Sequence, residues 1–77
     1  MQLSARNSLK GTITSIHQGR VTTTVKIAIG ENILTSSITN DAAEALTLAV
    51  GDRVTAIIKS SDVVIGKAAG AELDLPA

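Results

Sequence analysis

The stretch "SLKGTITSIHQGRVTTTVKIAI" at residues 8–29 is rich in β-branched residues, and its apolar residues alternate with polar ones. Alternation with a period of two indicates strands that turn one face toward a core. In the second half, one face carries Val21, Thr23, Val25, Ile27 and Ile29. Gly19 separates the two alternating runs, 8–18 and 20–29, at a position suited to a tight turn. The stretch therefore predicts a β-hairpin.

The rest of the chain predicts shorter elements around this hairpin. A third strand and a short helix are expected at 33–38 and 40–48, followed by one or two further strands at 53–60 and 63–66. Alanine and leucine replace β-branched residues in the helical segment, and Asp41 followed by Glu44 has the spacing of a capping box. This order of elements predicts a mainly β fold, a small OB-like Greek-key barrel with one short helix. We expect one domain at residues 1–66 and a loose tail at 67–77.

The composition predicts that several copies associate. A domain of 77 residues buries only about 60% of the surface of its unfolded chain, so its core is small. This chain has no Phe, Trp, Tyr or Cys, and so lacks both the largest apolar side chains and any disulfide. Because a core shared between copies compensates for such a shortage, we expect a homo-oligomer.

The sequence lacks the parts of common catalytic, nucleic-acid and membrane sites. His17 is the single histidine and lies beside the hairpin turn, where we expect it to be exposed. Because the chain has no cysteine and a single histidine that we expect to be exposed, nucleophilic triads and zinc sites lack their usual parts, and we expect no enzyme. Without aromatic residues or net positive charge, single-stranded nucleic acid is a poor ligand. No apolar run approaches a membrane span or signal peptide, so we expect a cytoplasmic protein.

Charge and hydroxyl groups favour a small oxyanion as ligand. Residues 1–30 carry four basic residues and no acid, a charge of +4, whereas residues 31–77 carry −4. Solubility and chance also produce such differences. A dianion needs several converging N–H, hydroxyl and cationic donors, and these cluster in Ser4-Ala5-Arg6-Asn7, Ser36-Ser37-Ile38-Thr39 and Lys59-Ser60-Ser61. Alternatively, Arg6 is a plain surface residue, Thr39 a helix cap and Lys59 an edge-strand guard.

An ordered set of motifs resembles one family. "LSARNSLKGTI", "SSIT", "EALTLAVGDRV" and "AIIKSSDVVI" together look like the molbindin, or molybdenum-pterin-binding (Mop), domain over roughly residues 2–66. The resemblance implies an OB-like barrel assembled as a hexamer, a trimer of dimers, with oxyanion sites between subunits. It also implies binding of molybdate, and tungstate as well, for storage and homeostasis in the cytoplasm.

The family's interface site maps onto named residues of this chain. The resemblance places it at Ser4, Ala5 and Arg6 near the start, and at the Lys59-Ser60 pair. Two further positions are Thr39 and Ala42. Family members often carry serine where this chain has Ala42, so one hydroxyl is missing and only the backbone amide remains as a donor there.

Other functions stay open at this point. The barrel could be a structural or partner-binding domain whose motif survives as an assembly interface. The same domain also occurs as a sensor in molybdate-responsive repressors and as an accessory domain in molybdate transporter ATPases. Because this sequence contains neither a DNA-binding helix pair nor a nucleotide-binding loop, the stand-alone binding protein fits best.

Overall fold

The fold is mainly β with one short helix in the computed structural model of this chain, which describes residues 6–67. The elements are β1 (Arg6–Gln18), β2 (Thr22–Ile29), β3 (Asn32–Thr39), α1 (Asn40–Leu46), β4 (Arg53–Lys59) and a 3₁₀ turn (Ser60–Asp62). The strands form one antiparallel sheet in the order β3-β2-β1-β4. The predicted hairpin, third strand and short helix are therefore confirmed, whereas the tail from residue 68 lies outside the described residues, and the division into a domain at 1–66 and a tail stays a prediction.

Strand β1 joins the two halves of the sheet. Its first half, 6–12, pairs with β4, and its second half, 12–18, pairs with β2. The register shifts around Thr14, and such a bulge bends a strand and increases its twist. Just before it, a Cβ at Gly11 would lie 2.5 Å from the carbonyl oxygen of Ala28. Only glycine allows β1 and β2 to approach this closely where β1 passes from one partner to the other.

The core lies on one face of the sheet and is small. Ile13, Val25 and Ile27 are 1%, 3% and 5% exposed. Partly buried apolar side chains from β3, β4 and the loop after α1 surround them. Between β3 and β4 the apolar face opens into a groove of about 570 Å³. The described part of the chain therefore forms a core that is open on one side.

The helix is capped by Thr39, which the sequence offered as an alternative cap, and not by a capping box at Asp41 and Glu44. Thr39 is the N-cap, with φ −69° and ψ 154°, and its Oγ1 accepts a hydrogen bond of 3.1 Å from the Ala42 N–H. The capping box assigned to Asp41 and Glu44 is therefore wrong. Thr39 ends β3 in an extended conformation, so its hydroxyl reaches the first turn, and Asp41 is already the second residue of the helix.

Hydrogen bonds made by Asn40 also fix the start of the helix to the hairpin. Thr23 is 2% exposed, and its hydroxyl donates to Asn40 Oδ1 at 2.7 Å. Asn40 Nδ2 donates to the Gly19 carbonyl at 3.1 Å, and the Asn40 N–H donates to the Val21 carbonyl at 3.0 Å. A buried hydroxyl would cost stability without a partner, so Asn40 holds together β2, the hairpin turn and α1.

The strand predicted at 63–66 is wrong for the described residues. After β4 the chain makes the 3₁₀ turn, with the Val63 N–H donating to the Ser60 carbonyl at 3.3 Å. Val64 and Ile65 are 93% and 87% exposed. A strand needs a partner for its backbone groups, and within residues 6–67 no strand pairs with this segment.

Candidate oxyanion site

Two of the predicted cations meet at one end of the sheet. Arg6 begins β1, Lys59 ends β4, and the two residues are direct cross-strand partners. One step further in, Asn7 faces Ile58, and Asn7 Nδ2 donates to the Ile58 carbonyl at 3.4 Å. Partners in an antiparallel pair lie about 4.5–5.5 Å apart at their Cβ atoms and project to the same face. The pairing therefore places an arginine and a lysine next to each other on one face of the sheet.

Hydroxyl donors follow immediately after this pair. Ser60 and Ser61 form the 3₁₀ turn directly after Lys59, and both serines are exposed, as are Arg6 and Lys59. Asp62 ends the same turn but lines the apolar groove. We call Arg6, Lys59 and Ser60 the cationic half-site. The predicted donors Ser4 and Ala5 lie outside the described residues.

The remaining predicted donors form a second group elsewhere. Thr39 and Ala42, here called the helix-cap half-site, lie at the junction of β3 and α1. The Ala42 N–H already donates to Thr39 Oγ1. Because a hydroxyl carries one hydrogen as well as two acceptor lone pairs, Thr39 can accept from Ala42 and still donate to a ligand.

The two half-sites lie far apart within one chain. Thr39 pairs with Thr22 beside the carboxyl end of β1, whereas Arg6 begins that strand. At about 3.3 Å per residue, and allowing for the bend, the ends of a strand of this length lie on the order of 20–40 Å apart. An oxyanion is only a few ångströms wide. One chain therefore cannot close both half-sites around one ion.

Two asparagines position the site, of which the sequence pointed to Asn7 only as an anion donor and did not single out Asn40. Asn7 ties β1 to β4 beside the cationic pair, and Asn40 fixes the helix-cap half-site to the hairpin. The signal for Asn40 was its place after the β3 threonine, at a change from strand to helix pattern. His17 is exposed, as expected.

Some side-chain arrangements are absent from residues 6–67. This part of the chain contains no group of three or more His, Asp or Glu side chains placed to hold a metal ion. It also contains no helix of the length and apolarity needed to cross a membrane. The fold and its paired cations thus define a small OB-like β domain with a candidate anion site.

Known proteins share this sequence and fold. The TOBE domain family matches residues 3–65. A probable molybdenum-pterin-binding protein of Haemophilus influenzae is 45% identical over 86% of this chain and 97% of its own length. The molybdate-binding protein of Sporomusa ovata is 33% identical with a TM-score of 0.80, over 87% of this chain and all of the other. The chain therefore belongs to the TOBE domain family and, within it, to the molbindin-type molybdenum-pterin-binding proteins.

Longer relatives contain the same domain as one part. The chain is 42% identical to the molybdenum transport protein ModE of Herbaspirillum seropedicae over 82% of its own residues but only 24% of that protein. A molybdate-bound structure of the cytoplasmic molybdate-binding protein ModG has a TM-score of 0.75 and 38% identity, over 83% of this chain and 46% of the other. The same domain thus occurs in proteins of different length.

Proposed function

We propose that this protein binds molybdate, and tungstate as well, as a reversible oxyanion cargo and serves cytoplasmic molybdenum storage and homeostasis. It binds and releases the ion without transforming it, so it is not an enzyme. The observation that carries the proposal is the direct pairing of Arg6 with Lys59 beside Ser60. Relatives named for molybdenum-pterin and molybdate binding add support.

The paired cations are best explained by an anion between them. Like charges directly opposite on neighbouring strands destabilise a sheet. A dianion within reach of Arg6 and Lys59 turns this repulsion into two charge-assisted contacts, and a serine hydroxyl adds a third. The donor chemistry therefore fits an oxyanion. Arginine presents a planar fork to adjacent oxygens, whereas lysine contributes a compact charge.

The complete site is formed between copies of the chain. In one copy every residue of the two half-sites is exposed except Ala42, which is partly buried, and a strongly hydrated dianion is held well only where donors replace its water. We place the cationic half-site of one copy against the helix-cap half-site of another. There the Thr39 hydroxyl, accepting from the Ala42 N–H, donates to the ion. The assembly is a homo-oligomer, and a hexamer built as a trimer of dimers is the form we propose.

Titration calorimetry tests the binding itself. The chain has no aromatic residue, so it offers no intrinsic fluorescence signal, and calorimetry with sodium molybdate, tungstate and sulfate is the direct measurement. We expect saturable binding of molybdate and tungstate, with native mass spectrometry giving the number of ions per oligomer. An absence of measurable molybdate binding would contradict the proposal and favour a purely structural barrel.

Mixed oligomers test the shared site. Copies carrying Arg6→Gln and Lys59→Gln lack one half-site, and copies carrying Thr39→Val lack the other. Each variant alone should bind molybdate poorly, whereas oligomers assembled from both should regain wild-type affinity at a fraction of their sites. If native mass spectrometry shows mixed oligomers but molybdate binding is not restored, the half-sites do not combine across copies.

A further inference from the structure

The sheet face opposite the core carries nearly all the charge of the strands. Cross-strand partners share a face, and Ile13 with Ile27 marks the core side. By register, the cations on the other face, here called the outer face, are Arg6, Lys10, Lys26, Arg53 and Lys59. All of these side chains are exposed. The outer face is therefore strongly positive although the chain has no net charge.

The acidic residues described by the structure lie off this face. They occupy turns and helices, at Glu31, Asp41, Glu44, Asp52 and Asp62. Asp52 is next to Arg53 in sequence, but its Oδ2 accepts a hydrogen bond of 2.9 Å from the Ala49 N–H in the turn before β4. Within residues 6–67, no strand position on the outer face is a carboxylate.

We propose that Lys10, Lys26 and Arg53 form an approach path that speeds the arrival of the dianion at the Arg6–Lys59 pair. The inference rests on the proposed oxyanion function and adds the route by which the ion reaches the site. Neighbouring charges of one sign raise the local concentration of an oppositely charged ligand and increase its association rate by about 10- to 1,000-fold.

These side chains act at a distance and do not hold the bound ion. Lys10 lies four residues from Arg6 along β1, which corresponds to about 13 Å. It faces Thr55, whereas Arg53 faces Thr12. The Debye length is about 30 Å at 0.01 M salt and about 8 Å at 0.15 M. Their effect on association is therefore strong at low salt and weak at high salt.

A pair of matched double variants tests this path. Lys10→Gln with Lys26→Gln removes two positive charges from the outer face. Arg20→Gln with Lys67→Gln removes two from the hairpin turn and the segment after the 3₁₀ turn. Both variants change the net charge equally, so they differ only in where charge is lost. None of the four residues belongs to either half-site.

Dissociation and affinity must be measured separately. Loaded protein is mixed with excess catechol chelator, whose molybdate complex absorbs light, to give the dissociation rate. Equilibrium dialysis gives Kd, and the two values together give the association rate. At about 20 mM salt we expect the outer-face variant to associate about three- to tenfold more slowly with an unchanged dissociation rate. At about 500 mM salt the difference should nearly vanish.

Several outcomes would overturn the inference. Equal slowing in both variants would mean that only net charge matters. Faster dissociation with unchanged association would make Lys10 or Lys26 a direct ligand of the ion. A gel shift with single-stranded DNA that only the outer-face variant abolishes would assign this surface to nucleic acid. If wild-type protein binds no molybdate at all, the proposed function fails first, and the kinetic comparison does not arise.

Discussion

The cationic half-site and the helix-cap half-site differ in the interactions that their polar groups make within one chain. At the first, the pairing of β1 with β4 places Arg6 opposite Lys59, and like charges in this position destabilise a sheet. At the second, Thr39 and Ala42 satisfy each other through a 3.1 Å hydrogen bond at a helix start. The first group therefore places like charges opposite each other on neighbouring strands, whereas the second has its polar groups joined by a hydrogen bond within the chain. A ligand should therefore change the stability of the first region more than that of the second.

Because of this difference, variants of the two half-sites should change molybdate affinity and folding stability in different ways. Removing charge from the cationic half-site deprives the ion of its main partners but relieves repulsion in the free chain. Removing the Thr39 hydroxyl deprives the ion of a donor and also leaves the helix start uncapped. Affinity and stability should thus change in opposite directions at one half-site and in the same direction at the other.

The largest effect is expected when both cations are neutralised. Hydrogen bonds to charged groups contribute about 1.5–3 kcal/mol each, so Arg6→Gln with Lys59→Gln should weaken molybdate binding by at least about 100-fold. The free variant should melt at the same temperature as wild type or higher, because a like-charge pair is gone. Calorimetry and thermal melting without ligand measure the two quantities.

The control for this variant is Arg20→Gln with Lys67→Gln, which removes equal charge outside the half-site. It should keep wild-type Kd at high salt, where long-range attraction is screened. An equal loss of affinity in both double variants would mean that Arg6 and Lys59 have no special position. A cationic variant that melts much lower would mean that the pair is a structural contact.

Thr39→Val gives the next largest effect and tests the other half. Valine matches threonine in shape but cannot cap the helix, which costs about 0.5–2 kcal/mol of stability. The lost donor should weaken molybdate binding about tenfold. Chemical denaturation and calorimetry should therefore both show a loss. Thr39→Ser, which keeps the hydroxyl, should keep most of both, and a serine variant as weak as valine would contradict the assignment.

The sequence predicts which residues form strands better than it predicts which strands pair with each other. Alternation over residues 8–29 identified β1 and β2 because each strand has one buried face, and the burial of Val25 and Ile27 matches that pattern. The segment 63–66 has the same composition as a strand but lacks a partner within residues 6–67. Composition reports propensity, whereas pairing depends on which edge is available.

The candidate site shows the same limit. The motif resemblance supplied Arg6, Thr39 and Lys59 as separate residues. It could not supply their arrangement, because register between distant strands depends on the bulge at Thr14 and on the turn lengths. That Arg6 faces Lys59 inside one chain, while Thr39 lies at the far end of β1, required the structure.

Ala42→Ser should strengthen molybdate binding at the helix-cap half-site, by a smaller factor than the losses described above. Ala42 is the third residue after the cap, where a side-chain hydroxyl would lie in the first turn beside Thr39. One more donor should strengthen molybdate binding about three- to tenfold, at a small cost in helix propensity. Ala43→Ser, with the same propensity change one position on, is the matched control. If both serines change Kd equally, the effect is not specific to this position.

The smallest effect is expected at the other end of α1, outside both half-sites. Thr47 has φ 53° and ψ 49°, a left-handed conformation in a β-branched residue. This conformation costs an L-residue about 1–2 kcal/mol, and glycine avoids that cost but loses more entropy on folding. Thr47→Gly should therefore stabilise the chain by about 0.5–1 kcal/mol and raise Tm by a few degrees, roughly 2–8 °C. Molybdate affinity should stay unchanged, because α1 keeps its Thr39 cap. If Thr47→Gly changes the Kd for molybdate as well as Tm, binding depends on the stability of the whole helix. The lower affinity of the Thr39 variants could then not be assigned to the hydroxyl alone.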